Sequence, residues 1–280
     1  MATTDSAVPI TVIRPSKGWS WEDAVELWRY RELLFFLIWR DVKVRYKQTL
    51  LGAAWAILKP LFTMVVFTII FGRLAEIPTD SAPAPVFYFA GLLPWILFQD
   101  GISKASTSLV TNRNLVTKVY FPRIAIPMAT VVSGLVDFAL AFLVLLGMMV
   151  FYGTVPAGTV WLLPAFLLIA LVTALGAGLW LAALNVAYRD VGYITPFIVQ
   201  AWLYASPVAY SATLIPQGWG QLAYGLNPMA GVVQGFRWAI LGVGQPATAM
   251  LATSLAVSLV LLLSGTWYFR RMERTFADVV

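Results

Sequence analysis

Six stretches of this chain are each long and apolar enough to cross a bilayer: Leu50–Gly72, Pro85–Ser106, Ile124–Tyr152, Trp161–Val186, Ile194–Ala212 and Ala247–Phe269. A spanning helix needs about 20 mostly apolar residues. Water cannot surround six such segments here, because too few charges remain to cover them. Only 11% of the 280 residues are charged and 60% are hydrophobic, whereas a soluble domain carries roughly 25% charged residues. The mean hydropathy of +0.80 agrees. The expected fold is an all-α integral membrane protein with the bilayer as its solvent.

Composition also removes chemistries. There is no cysteine and no histidine, so disulfides, thiolates and the commonest general base and metal ligand are absent. No catalytic or metal-binding residues are expected. No lysine follows a glycine, so the G-x-x-x-x-G-K-[ST] phosphate loop is missing. Asp100 and Asp137 are the acids within spans, and neither sits in a nucleophile–base motif. The residues before the first apolar run contain no short h-region or cleavage site, so no signal peptide is expected.

The net charge of +6 is distributed as in a membrane protein, and nucleic acid is not an expected partner. Arg14, Lys17, Arg29, Arg31, Arg40, Lys43, Arg45 and Lys47 precede span one. Lys104, Arg113, Lys118 and Arg123 follow or edge span two, Arg189 follows span four, and Arg270, Arg271 and Arg274 end the chain. The opposite face carries Arg73 and Arg237. The positive-inside rule then places both termini in the cytoplasm.

The expected organisation is a cytoplasmic segment 1–26, an amphipathic interface helix 27–49 and a six-span domain 50–280. On a helix at 100° per residue, Arg29, Glu32, Arg40, Lys43 and Lys47 share one stripe, interrupted by Phe36. Phe35, Ile38, Trp39, Val42 and Tyr46 fall on the other side. Such a helix lies in the interface with its basic face toward anionic headgroups. Arg29, Arg40, Lys43, Arg45 and Lys47 are the candidate headgroup residues.

Two loops are unusual. "TNRNLVTKVYFPRIAIP", residues 111–127, reads as a short exposed helix broken near Phe121 by the following proline. "SPVAYSATLIPQGWGQLAYGLNPMAGVVQGFRWAILG", residues 206–242, is too apolar for a free loop. Its prolines and glycines cut it into pieces too short to span, which reads as re-entrant helices. Charges inside spans imply function. Lys59 and Asp100 lie at similar depths, roughly 14 and 12 Å from the same surface at 1.5 Å per residue, so an ion pair between them is expected. Asp137 lies deeper, with no basic partner expected at its level. Trp95, Phe98, Trp202 and Tyr204, with Asp100, are candidate channel-lining residues, because aromatic faces suit sugar rings.

The stretches "WRYRELLFFLIWRDVKVRYKQTLLGAAWAILKPL", "FAGLLPWILFQDGI", "NLVTKVYFPRIAIP", "LNVAYRDV", "LNPMAGVVQGFRWAILG" and "FRRMERTFADVV" together resemble the membrane subunit of an ABC-2 type exporter. The nearest group exports polysaccharides or polyol phosphates. The resemblance implies a homodimer with the path between two copies and two copies of a separate cytoplasmic ATPase. It places ATP and Mg on that partner and no cofactor in this chain. It further implies a lipid-linked glycan substrate and a bacterial inner membrane. Asn112, Arg113, Asn114, Leu115, Val116, Lys118, Tyr120, Phe121 and Pro122 match the family's coupling helix. Competing readings are an exporter of teichoic-acid-like polyol phosphate, drugs or lipids, an ion-coupled secondary transporter, and an intramembrane enzyme. The transporter reading would show internal repeats, and the enzyme would turn over without a partner.

Overall fold

The longest buried element begins where proline allows it. α3, defined below, follows Pro83 and carries Pro85 in its first turn, where a missing N–H costs nothing. The computed structural model describes residues 25, 27–47, 52–211, 214–216 and 218–276, except the side chain of residue 53. The expected segment 1–26 lies outside these but for residue 25, as does the turn from the interface helix into span one.

The described residues form helices and contain no strand. In order these are α1 (Arg31–Lys47), α2 (Gly52–Phe67), α3 (Ala84–Thr111), α4 (Arg113–Lys118), α5 (Ala125–Phe151), α6 (Leu163–Ala187), α7 (Asp190–Tyr204), α8 (Trp219–Gly225), α9 (Pro228–Leu241) and α10 (Thr248–Met272). α2 runs on through a π-helical turn, Thr68–Leu74.

α3 is the central post. It packs against α5 and α6 most extensively, and against α9, α2 and α7. Its stretch Val86–Leu93 is almost fully buried, as are Trp95 and Phe98. α6 and α10 cross where a Cβ on Gly176 would lie 2.6 Å from the Leu261 carbonyl carbon. Glycine there lets two backbones touch, which is how spanning helices associate without a hydrophobic drive between them. α1 lies along α5, anchored by Leu37.

Five helices are long and apolar enough to cross a membrane: Ala54–Leu74, Ala84–Thr111, Ala125–Phe151, Val160–Ala187 and Thr248–Thr275. The expected fifth span, Ile194–Ala212, is not among these five. Its helix starts earlier, at Asp190, stops at Tyr204 and has 15 residues. The helix ends ahead of Pro207, which disfavours helix at the residue before it, and Arg237 donates to the Pro207 and Val208 carbonyls beyond it. Both ends of α7 are tied. Asn185 accepts from the Gly192 N–H and donates to the Ser106 carbonyl, each at 2.9 Å. At the other end the Trp202 indole donates to Asn227 at 2.9 Å. Asn227 also caps α9, accepting from the Met229 N–H at 3.1 Å, with Pro228 as the first helical residue.

Candidate functional site

Five charges converge where α1, α2, α3 and α5 meet. Lys59 Nζ lies 2.8 Å from Asp100 Oδ1, so the pair expected from depth is present. Asp137 departs from expectation. It accepts from the Arg45 guanidinium and the Tyr46 hydroxyl, and Lys104 Nζ stands 3.7 Å from both Asp137 and Asp100. Asp137 therefore has basic partners, one from another element at each side. The Tyr46 phenol is pushed up to about 12, first by burial and then by Asp137, so it stays protonated and keeps donating.

Arg45 is thereby separated from the other headgroup candidates. It sits on the face of α1 that meets α5, with Leu34, Leu37 and Asp41, and it also donates to Ser133 at 3.1 Å. Lys43 and Lys47 remain exposed, as does Arg29, while Arg40 is paired with Asp41 at 2.8 Å. The wheel already held the signal, since Arg45 falls off the stripe that the other basic residues share. α1 has three faces rather than two: one packed on protein, one basic, and one outward and apolar, carrying Phe35 and Trp39.

These charges line a cleft of about 290 Å³, together with Trp55, Pro60, Ile96 and Phe138. Its ionic groups are three cations and two carboxylates, which leaves one positive charge over. Asp100 keeps Lys104 at 3.7 Å when Lys59 is lost, and Lys59 opens onto the cleft, 51% exposed, so this ion pair contributes little. Lys59→Met is expected to change unfolding stability in detergent by less than about 1 kcal/mol. A larger loss in a denaturant or thermal melt would contradict that reading.

A second cleft, of about 390 Å³, adjoins the first between α2, α3 and α7. The aromatic candidates divide here. Trp95 and Tyr204 line it. Phe98 and Trp202 instead pack on each other, ring centroids 5.0 Å apart, with Phe98 fully buried.

The 112–122 segment has an inner and an outer side. Val116, Phe121 and Pro122 are buried, and Leu115 is partly so. Arg113, Asn114, Lys118 and Tyr120 are exposed, and Asn112 is half-buried at the helix boundary. The segment is braced from behind. The Arg123 N–H donates to Glu273 at 3.0 Å, its guanidinium reaches the Glu273 carbonyl, and Arg270 pairs with Glu273 at 3.1 Å.

Arg237 was counted in the sequence only as a charge on the less basic face. It is 0% exposed. Its guanidinium donates to the carbonyls of Phe87, Pro207 and Val208 at 3.2, 3.1 and 3.0 Å and lies 3.7 Å from the centre of the Phe87 ring. One cation thus satisfies the non-helical backbone that follows α7. An arginine inside an apolar, proline-broken stretch was the signal available.

Comparison with known proteins adds four findings. The family model for the ABC-2 type transporter matches residues 32–241. The O-antigen export system permease protein RfbA of Myxococcus xanthus is 33% identical over 257 residues, 91% of this chain and 98% of that protein. A permease of the same name from Klebsiella pneumoniae is 24% identical over 89% of this chain and 95% of its own length. The polysialic acid transport protein KpsM of Escherichia coli is 25% identical over 85% and 92%.

Proposed function

The chain belongs to the ABC-2 type transporter family, and on that premise we propose that it is the permease subunit of an ATP-driven exporter of a lipid-linked polysaccharide. The observation that carries this reading is the near full-length likeness to O-antigen export permeases. The chain has no phosphate loop of its own, so ATP and Mg belong to a separate cytoplasmic subunit, two copies per assembly. The exposed side chains Arg113, Asn114, Lys118 and Tyr120 suit docking to that subunit, on a segment braced by Glu273. A second copy of the chain completes the path, in a bacterial inner membrane with both termini cytoplasmic.

In this reading α7 with residues 205–211 makes the sixth crossing, and α8 and α9 are re-entrant. A short helix followed by unwound backbone is tolerated at membrane depth where protein satisfies it, and Arg237 does so here. The basic stripe of α1, led by Lys43 and Lys47, draws the carrier's phosphates to the interface. ATP-driven closure of the two ATPases moves α4, and α3 and α5 on either side of it carry the motion to the clefts.

Deleting the gene in a host without a second exporter tests the reading. Long glycan on its lipid carrier should accumulate at the inner leaflet while the same polymer disappears from the cell surface. A normal surface polymer without accumulation would sink it and favour a drug or lipid substrate on the same architecture.

A further inference from the structure

The two adjoining clefts differ in kind. The first holds the five-charge cluster. The second is lined by Lys59, Phe62, Thr63, Trp95, Gln99, Gln200 and Tyr204 among others, and Lys59 is the one ionic group among its described lining residues. That charge is already balanced by Asp100 at 2.8 Å. Lys59 and Ile96 belong to both clefts, so the charge ends at Lys59 and amides begin.

Glutamine is an expensive residue to set in a helix within hydrocarbon, and two converge on this cleft from different helices. Gln99 comes from α3 and Gln200 from α7, with Tyr204 one turn after Gln200. The Trp95 indole donates to the Gln99 carbonyl oxygen at 2.9 Å. An indole can only donate, so this contact engages the amide oxygen and leaves the two N–H donors of Gln99, a residue of the cleft wall, for another partner. The wall therefore offers amide donors and acceptors, a phenol and aromatic surface, without net charge. Its volume falls in the range of small-ligand sites, roughly 300–1,000 Å³.

We propose that this cleft is a subsite for uncharged, hydroxyl-rich sugar residues, with Gln99 and Gln200 as its specificity residues, and that the exported chain is a neutral polysaccharide. The proposal rests on the polysaccharide-export reading. Sugar hydroxyls both donate and accept, as the amides do. A repeat carrying a carboxylate or phosphate would have to leave water for a wall with no spare cation among the described lining residues, and an unpaired anion resists that transfer strongly. The anion of the carrier meets the charged cleft, and the sugars behind it meet the amides.

The polymer that accumulates in the deletion strain, released from its carrier by mild acid, should pass an anion exchanger unretained. A retained polymer with an acid in each repeat would overturn the neutral-chain proposal and leave polysaccharide export standing. Absence of any accumulated polymer would overturn both. Complementation with Q99L/Q200L should lower the export rate about ten-fold, the loss of one or two hydrogen bonds, at unchanged protein level and melting behaviour. Q99N/Q200N, which keeps the amides, should recover most of it. Normal export by the leucine variant, or equal failure of both, would remove the specificity role.

Discussion

Replacing Asp137 with leucine is expected to destabilise the protein by about 2–4 kcal/mol, and replacing Arg45 with methionine in the same chain should recover most of that loss. The carboxylate accepts from Arg45 and Tyr46 and stands 3.7 Å from Lys104. Without it, Arg45 and Lys104 share one remaining acid, Asp100, with Lys59. Breaking a fully buried pair costs about 3–5 kcal/mol, mostly from the charge left alone. Arg45 and Asp137 are 22% and 21% exposed, which lowers the figure. Removing both partners leaves neither charge of the pair alone, and Lys59 and Lys104 keep Asp100, so the double change should be much milder than either single one. Denaturant or thermal melts in detergent on the two single variants and the double variant measure the coupling. Additive losses would mean that α1 is held to α5 by Leu37 and its neighbours, with the ion pair incidental.

That pair also shows what a sequence conceals. Lys59 and Asp100 were legible because depth along two adjacent spans is a one-dimensional property, counted at 1.5 Å per residue. Asp137 was not, because its partner lies on a helix outside the spans, and depth counting treats that helix as surface. The rotational position of Arg45 carried the information, but a wheel does not say which face meets protein. The apolar runs gave five of the spans directly, since hydrophobic length is local. The Ile194–Ala212 stretch is equally apolar and still leaves its helix at Tyr204, ahead of Pro207, and the group that then donates to the Pro207 and Val208 carbonyls, Arg237, sits 33 residues beyond Tyr204. Trp95 and Phe98 looked alike as aromatic candidates three residues apart. Both are buried, but the Trp95 indole donates to Gln99 at the wall of a cleft, while Phe98 packs on Trp202. The short helix Arg113–Lys118 was legible from the polar run and prolines around it, but its brace by Glu273 depends on a residue 150 positions away from Arg123.

The largest effect is expected at Arg237. Arg237→Met leaves the carbonyls of Pro207 and Val208 without their donor and takes a second bond from the helical Phe87 carbonyl, in a buried site. At about 1–3 kcal/mol per stranded group the loss should reach about 4 kcal/mol or more, so this variant is expected to accumulate poorly. Two milder changes separate the local role from collapse. Arg237→Lys keeps the charge, but a compact ammonium cannot bond carbonyls on both sides as the planar fork does. Gly91→Ala keeps the arginine and displaces it, because a Cβ there would lie 2.2 Å from Nη2. The chain has no native cysteine, so a single Val208→Cys reports on the 205–211 segment by maleimide labelling. Val208 is fully buried and should label slowly in the otherwise native chain. Labelling should rise about ten-fold or more in both milder variants, corresponding to at least one lost charge-assisted bond. A cysteine at Ala170, equally buried in α6, should stay protected in both. Slow labelling at position 208 in both backgrounds would mean the unwound segment holds itself. Fast labelling at both positions would mean the helix bundle has opened as a whole, and the arginine would then be a core residue rather than the fastening of one segment.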